Sequence, residues 1–85
     1  MAYRVLITPA ARKAMERLPL DVRLRVNRAI QTLAAVPRPQ GCQKLSGSVD
    51  LYRIRVGDYR VIYRVEDRVL LVLVVRVGHR GDVYR

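Results

Sequence analysis

The sequence predicts a single α+β domain over residues 1–85, with an N-terminal helical hairpin packed on one face of a small, largely antiparallel four-stranded sheet. A chain of 85 residues buries only about 60–65% of its unfolded surface, so it forms one small core. Apolar residues recur at helical spacing in the first half, whereas apolar and charged residues alternate at strand spacing in the second half. These observations predict the order β-α-α-β-β-β.

The first half begins with a short predicted strand over residues 3–7. Thr8 then fits the N-cap of a helix and Pro9 its first helical position. Pro19 interrupts the helical pattern, and a second helix is predicted over about residues 20–35. The short connection between the two helices predicts an antiparallel hairpin. The apolar stripe of the second helix consists of Val22, Val26, Ala29, Ile30 and Leu33.

The second half reads as three strands joined by turns. Residues 51–56 alternate between apolar and basic side chains, and Gly57-Asp58 is typical of a hairpin turn. Residues 59–65 form the return strand, and a second turn follows at Glu66-Asp67. Residues 69–77 are apolar on both faces for much of their length, which predicts a central strand.

The charge of the chain indicates a polyanionic partner. Lys and Arg number 17 against 7 Asp and Glu, which gives a net charge of +10, and the hydrophobic content of 51% excludes a disordered chain. The single cysteine excludes a disulfide framework and a cysteine-based zinc site, and it fits a reducing, cytoplasmic location. The longest apolar run has seven residues, too few to span a membrane.

Arginines concentrate on one predicted face of the sheet. Strand alternation places Arg53 and Arg55 together, and the Gly57-Asp58 turn brings Arg60 close to Arg55. Like charges at that distance repel each other, unless an anion lies between them. The guanidinium fork suits a phosphate, because it donates two parallel hydrogen bonds. Exposed strand arginines are also often merely solvated, so the pattern alone leaves both interpretations open.

Three residues near the C-terminus extend this hypothesis. Arg80 adds a further basic group, and Tyr84 could stack on a base of single-stranded nucleic acid. Tyr84 could equally be a packed C-terminal anchor. His79 is the only side chain whose ordinary pKa lies near neutrality, yet a lone histidine is more often structural than catalytic.

Three segments together resemble one known family. They are Lys44-Leu45-Ser46-Gly47, then residues 51–63 with the sequence LYRIRVGDYRVIY, and residues 76–84 with the sequence RVGHRGDVY. In this combination the chain resembles the RelE branch of the RelE/ParE toxin superfamily, whose members belong to type II toxin–antitoxin modules. The resemblance covers nearly the whole chain.

The resemblance implies a ribosome-dependent endoribonuclease that cleaves mRNA without a metal or another cofactor. The ribose 2′-hydroxyl attacks the adjacent phosphate, and the leaving oxygen is protonated. Arg53 and Arg55 match two basic strand residues that bind substrate, and Arg60 matches an arginine that stabilises phosphate charge. Arg80 matches a proton donor or phosphate ligand, and Tyr84 a residue that orients the substrate nucleotide.

The chain departs from the family pattern at two positions. The best-known members carry lysine at the positions of Arg53 and Arg55, and arginine effectively never deprotonates. The general base would then be Tyr84, His79 or a group of the ribosome. Lys44 belongs to the first matching segment and is expected to contact substrate.

The resemblance also implies binding partners, and it leaves two alternative functions open. The expected partners are the ribosome, mRNA and a cognate antitoxin with an acidic or amphipathic segment, assembled with the toxin as a possible heterotetramer. One alternative is a ParE-like poison of DNA gyrase. The other is an inactive member that only binds nucleic acid or an antitoxin.

Overall fold

The helices and strands follow one another in the predicted order, with one additional strand. The computed structural model describes residues 2–45, 47 and 50–79. The prediction of four strands is wrong by one, because a strand of only two residues has no detectable periodicity. The elements are β1 (Arg4–Ile7), α1 (Pro9–Glu16), α2 (Leu20–Thr32), β2 (Gln43–Lys44), β3 (Leu51–Val56), β4 (Tyr59–Glu66), a 3₁₀ turn (Asp67–Val69) and β5 (Leu71–His79).

The five strands form one sheet in the order β1-β5-β4-β3-β2. β1 runs parallel to β5, and the other three pairs are antiparallel. The last strand therefore lies between two neighbours, as its apolar composition predicts. The two strands of the parallel pair are far apart in the chain, since α1, α2 and three further strands lie between β1 and β5.

The start of α1 and the end of α2 each have a local cause. The Thr8 Oγ1 accepts a hydrogen bond from the Ala11 amide at 3.2 Å, and Pro9 opens α1, as the sequence predicts. α2 ends at Thr32, three residues before the predicted boundary. The amides of Leu33 and Ala34 bond to carbonyls three residues back, which tightens the chain into turns.

The core lies between the two helices and one face of the sheet. The predicted apolar stripe supplies it, since Val26, Ile30 and Leu33 are fully buried and Val22 and Ala29 are half-buried. Each fully buried Ile or Leu contributes about 1.5–3 kcal/mol. The strands contribute further fully buried side chains, namely Val61, Tyr63, Val72 and Val74.

The turn between β3 and β4 requires a special backbone conformation. Val56 lies opposite Tyr59, so Gly57-Asp58 is a two-residue loop, and the φ of Gly57 is +60°. A Cβ atom added at Gly57 would lie 3.3 Å from Nη2 of Arg25, which reaches over from α2. Both the backbone angle and this close guanidinium favour glycine here.

We predict that Gly57→Ala destabilises the domain by about 1 kcal/mol, because a left-handed conformation costs an alanine about 1–2 kcal/mol. Gly57→Asn should lose less, since asparagine tolerates this conformation. Urea unfolding of the three chains measures the difference. Equal losses in both variants would show that crowding against Arg25, rather than φ, sets the cost.

Candidate nucleic-acid interface

Arginines cluster on the sheet face opposite the helices. Residues paired across neighbouring strands lie on the same face. Arg55 lies directly opposite Arg60, as the sequence predicts, while Ile62 lies between Arg53 on one side and Arg76 on the other. We call the part of this surface nearest the Gly57-Asp58 turn the arginine face; its members are Arg53, Arg55, Arg60 and Arg76. Arg64 shares the sheet face but lies at its other end, opposite Leu51.

A β-bulge decides which residues of β5 join the arginine face. Tyr63 pairs with Val74 but Ile62 pairs with Arg76, so Val75 is an extra residue. Simple alternation would place Arg76 on the helix-covered face with Val74. The bulge instead turns Arg76 onto the arginine face, so sequence reasoning, which assumes an unbroken period of two, missed it.

The same bulge places His79 on the other face. His79 lies opposite Tyr59, and the two rings meet edge to face with centroids 5.5 Å apart. Tyr59 shares the helix-covered face with Val61, whose side chain is buried in the core. The structure therefore does not bring His79 together with Arg55 and Arg60.

Of the other predicted site residues, only Lys44 lies within the described part of the chain. Lys44 pairs with Tyr52, which places it on the face that carries Tyr52 and not on that of Arg53. Arg80 and Tyr84 lie outside the described residues, so the roles predicted for them stay predictions.

The centre of the arginine face is electrostatically uncompensated. Arg55 and Arg60 form a like-charge pair, and neither takes part in an ion pair among the residues that the structure describes. The Nε of Arg60 is buried and has no hydrogen-bond partner within the same residues. An unpaired donor of this kind costs free energy in the empty site and is satisfied by a bound anion.

A glutamine that sequence reasoning missed orients Arg53. Gln43 lies opposite Arg53 on the edge strand β2, and its Oε1 accepts a hydrogen bond from Nη2 of Arg53. Detecting Gln43 from the sequence would have required predicting β2 and its register. This contact fixes one guanidinium at the border of the arginine face.

A polar network holds the segment after α2 against the sheet. We call it the Asp67 network; it consists of Tyr3, Arg38, Tyr52 and Asp67. Arg38 binds both carboxylate oxygens of Asp67, at 2.8 and 3.2 Å, and its Nε donates to the Tyr52 hydroxyl at 3.0 Å. The Tyr3 hydroxyl also donates to Asp67, at 2.6 Å. The Arg38 and Tyr3 hydrogen bonds lower the pKa of Asp67 below its ordinary value.

A buried tyrosine anchors the same segment from within the core. The Tyr63 hydroxyl donates to the Pro37 carbonyl at 2.8 Å, and its ring stacks on Tyr52 with centroids 5.9 Å apart. Burial raises the pKa of Tyr63, so it remains a neutral donor. Together with the Asp67 network, this bond fixes the chain that leads to Gln43.

The described residues lack two other kinds of site. They contain no group of three or more His, Cys, Asp or Glu side chains that could hold a metal ion. Within the same part of the chain, no helix is both long and apolar enough to cross a membrane.

A helical hairpin on one sheet face and clustered arginines on the other define a small α+β domain with a basic sheet face. Residues 5–84 match the sequence model of the family described as ParE toxin of type II toxin-antitoxin system, parDE. The chain therefore belongs to the RelE/ParE toxin superfamily, as the three sequence segments predict.

Named relatives and solved structures agree with this assignment. Toxin RelG of Mycobacterium tuberculosis is 33% identical over 86 residues, which cover 100% of this chain and 99% of that protein. The mRNA interferase toxin RelE of Escherichia coli is 32% identical, with 99% and 92% covered. The archaeal RelE in the RelE-RelB complex from Pyrococcus horikoshii superposes with a TM-score of 0.85 at 35% identity, with 98% and 100% covered.

We predict that Asp67→Asn lowers the melting temperature at pH 7, because it removes the carboxylate that Arg38 and Tyr3 bind. The folded-state pKa of Asp67 is lowered, so its contribution is present above the unfolded pKa of about 3.9 and is lost as the pH falls through the folded pKa. The difference from wild type should therefore shrink in strong acid. A constant difference from pH 7 to pH 2 would contradict this role.

Proposed function

We propose that this chain is the toxin of a type II toxin–antitoxin module and cleaves mRNA on the ribosome. The observation that carries the proposal is the Arg55–Arg60 pair, which faces away from the helices without a counter-ion among the described residues. The E. coli relative, named mRNA interferase toxin RelE, is similar over nearly the full length of the chain.

The reaction begins with attack of a ribose 2′-oxygen on the adjacent phosphorus. A new P–O2′ bond forms, the bond to the 5′-oxygen of the next nucleotide breaks, and that oxygen takes up a proton. The 2′-hydroxyl loses its proton, and the product ends in a 2′,3′-cyclic phosphate. Extra negative charge accumulates on the phosphoryl oxygens during the step, so positioned cations accelerate it.

The arginine face fits this demand for positive charge. Arg55 and Arg60 approach a phosphate from neighbouring strands, and each guanidinium can donate two parallel hydrogen bonds. The buried Nε of Arg60 is already removed from water, which strengthens its interaction with the developing charge. Arg53, oriented by Gln43, holds the phosphate backbone beside them.

Proton transfer falls to residues other than these arginines. Arginine does not deprotonate at accessible pH, and His79 lies on the opposite face of the sheet. Tyr84 or a ribosomal group is therefore proposed to take the proton from the 2′-hydroxyl and to give one to the leaving oxygen, and Arg80 is proposed as a phosphate ligand. Lys44, at the sheet edge, is proposed to contact phosphates farther along the RNA. The free protein then cleaves naked RNA poorly, because the ribosome orients the substrate.

We predict that Arg60→Ala lowers cleavage of ribosome-bound mRNA by at least about 100-fold, the usual loss when one transition-state donor is removed. Arg55→Ala should act in the same direction. Arg68→Ala is the matched control, since Arg68 is exposed in the 3₁₀ turn, outside the arginine face. Primer extension on programmed ribosomes measures the rates.

Two outcomes would contradict the proposal. Wild-type cleavage rates in Arg60→Ala and Arg55→Ala would remove the assigned role of the pair. Cells that express the wild-type chain and show double-strand DNA breaks with intact messages would indicate a gyrase poison instead.

The proposed antitoxin carries an acidic, amphipathic segment that packs on α1 and α2. A groove there has apolar walls from Ile7, Met15 and Leu24, with basic groups from Arg12 and Arg23 and one carboxylate from Glu16. An amphipathic helix with acidic residues along its border complements this surface. The complex is proposed to be a heterotetramer. Similar toxins were solved as RelE-RelB complexes, including the one from P. horikoshii.

We predict that Leu24→Glu weakens the antitoxin complex at least about tenfold, because it introduces a negative charge where an acidic, amphipathic segment packs. Leu24 is 56% exposed in the free chain, and Val69, 64% exposed, provides the matched control Val69→Glu. Calorimetric titration with the product of the adjacent small gene measures both affinities. Equal affinity for wild type and Leu24→Glu would exclude this groove as the docking surface.

A further inference from the structure

A cavity beside the arginine face has no role in the reaction described above. It has a volume of about 510 Å³ and opens between the C-terminal half of α2, the segment 39–41 and the outer edge of β3. Arg55 lines it, so the cavity and the proposed phosphate site share one residue.

The cavity exists because the edge strand is short. β2 pairs only with Tyr52 and Arg53, and the preceding chain leaves the sheet in a turn closed by a 3.0 Å bond from the Cys42 amide to the Pro39 carbonyl. The edge of β3 at Ile54 and Arg55 therefore has no neighbouring strand among the described residues. The Asp67 network and the Tyr63–Pro37 bond fix the segment that forms the opposite wall.

The uncovered edge presents backbone hydrogen-bonding groups. Val56 and Tyr59 close a two-residue turn, so they form a hydrogen-bonded pair and Ile54 with Val61 forms the next. Between these pairs, the amide and carbonyl of Arg55 point away from β4, toward the edge that β2 does not reach. A planar ligand at this edge can meet one donor and one acceptor.

The side chains of the lining add complementary chemistry. Gln40 and Gln43 supply amide groups, and the Thr32 hydroxyl, which donates to the Ala29 carbonyl at 2.7 Å, can still accept. Pro39 and Ile54 provide apolar walls. The described lining carries one positive group, Arg55, and no carboxylate. Amide groups between apolar walls match the edge and the faces of a nucleobase.

We propose that this cavity binds the base of an RNA nucleotide next to the phosphate held by Arg55 and Arg60. The inference rests on the proposed function and extends it to the choice of cleavage site. Arg55 belongs to both the phosphate site and the base site, since its guanidinium contacts the phosphate while its backbone faces the base. A nucleotide that fills the cavity is held in register with the reacting bond, which raises the rate at that sequence.

The test compares cleavage-site preferences of wild type, Gln40→Ala and Thr32→Val on ribosomes translating a randomised message library, with cut ends mapped by sequencing. Gln31→Ala is the matched control, because Gln31 is an exposed glutamine of α2 outside the lining. Gln40→Ala should reduce the ratio between the rates at the most and the least preferred base of one position about tenfold, since an amide that pairs with a base edge discriminates against the wrong base by about this factor. Thr32→Val should flatten the same position without changing the shape of the side chain.

The outcomes separate the inference from the proposed function. Cleavage by wild type with an unchanged base preference in both cavity variants would overturn the inference alone. An equal change in Gln31→Ala would also overturn it, because that residue does not line the cavity. A wild-type chain that cleaves no message would overturn the proposed function and the inference with it.

Discussion

The pairing of β4 with β5 across one bulged residue determines what each face of the sheet carries. Before the bulge, Val72 and Val74 of β5 face the helices. After the bulge, Val77 also faces the helices, because the extra residue Val75 shifts the alternation of side chains by one position. The core therefore stays continuous from one end of β5 to the other. The extra residue also places Arg76 on the arginine face and His79 on the helix-covered face, the reverse of what unbroken alternation would give. One backbone irregularity therefore fixes both the packing of the core and the composition of the arginine face.

The two faces of the sheet differ, because one stabilises the domain and the other carries the paired arginines. The helix-covered face is filled by apolar side chains such as Ile30 and Val61, and no polar or charged residue is buried among the described residues. The opposite face carries Arg55 and Arg60 at closest approach, which costs free energy in the absence of a ligand. Acidic partners are found away from that pair, where Asp50 and Glu66 bind Arg64. On this face the ion pairs of Arg64 thus lie at one end of β4, and the Arg55–Arg60 pair lies at the other.

The sequence predicts what depends on local periodicity and misses what depends on register. Arg53, Arg55 and Arg60 lie where the sequence predicts them, because they belong to one hairpin whose turn residues fix the alignment. Arg76 and His79 follow a bulge, and a single inserted residue leaves no trace in composition. Gln43 depends on a two-residue strand, and the Asp67 network joins Tyr3 to a residue 64 positions away. Such contacts become visible only once the fold is known.

The parallel pairing of β1 with β5 has a consequence for synthesis of the chain. Arg4 is aligned with Leu71, so the first strand finds its sheet neighbour among the described strands only after nearly seventy further residues have been made. β4, which carries Arg60, likewise lacks one of its two neighbours until β5 emerges. The nascent chain therefore completes its arginine face only after β5 has been made. The proposed catalytic surface is in this way incomplete until the last strand of the described sheet has been made.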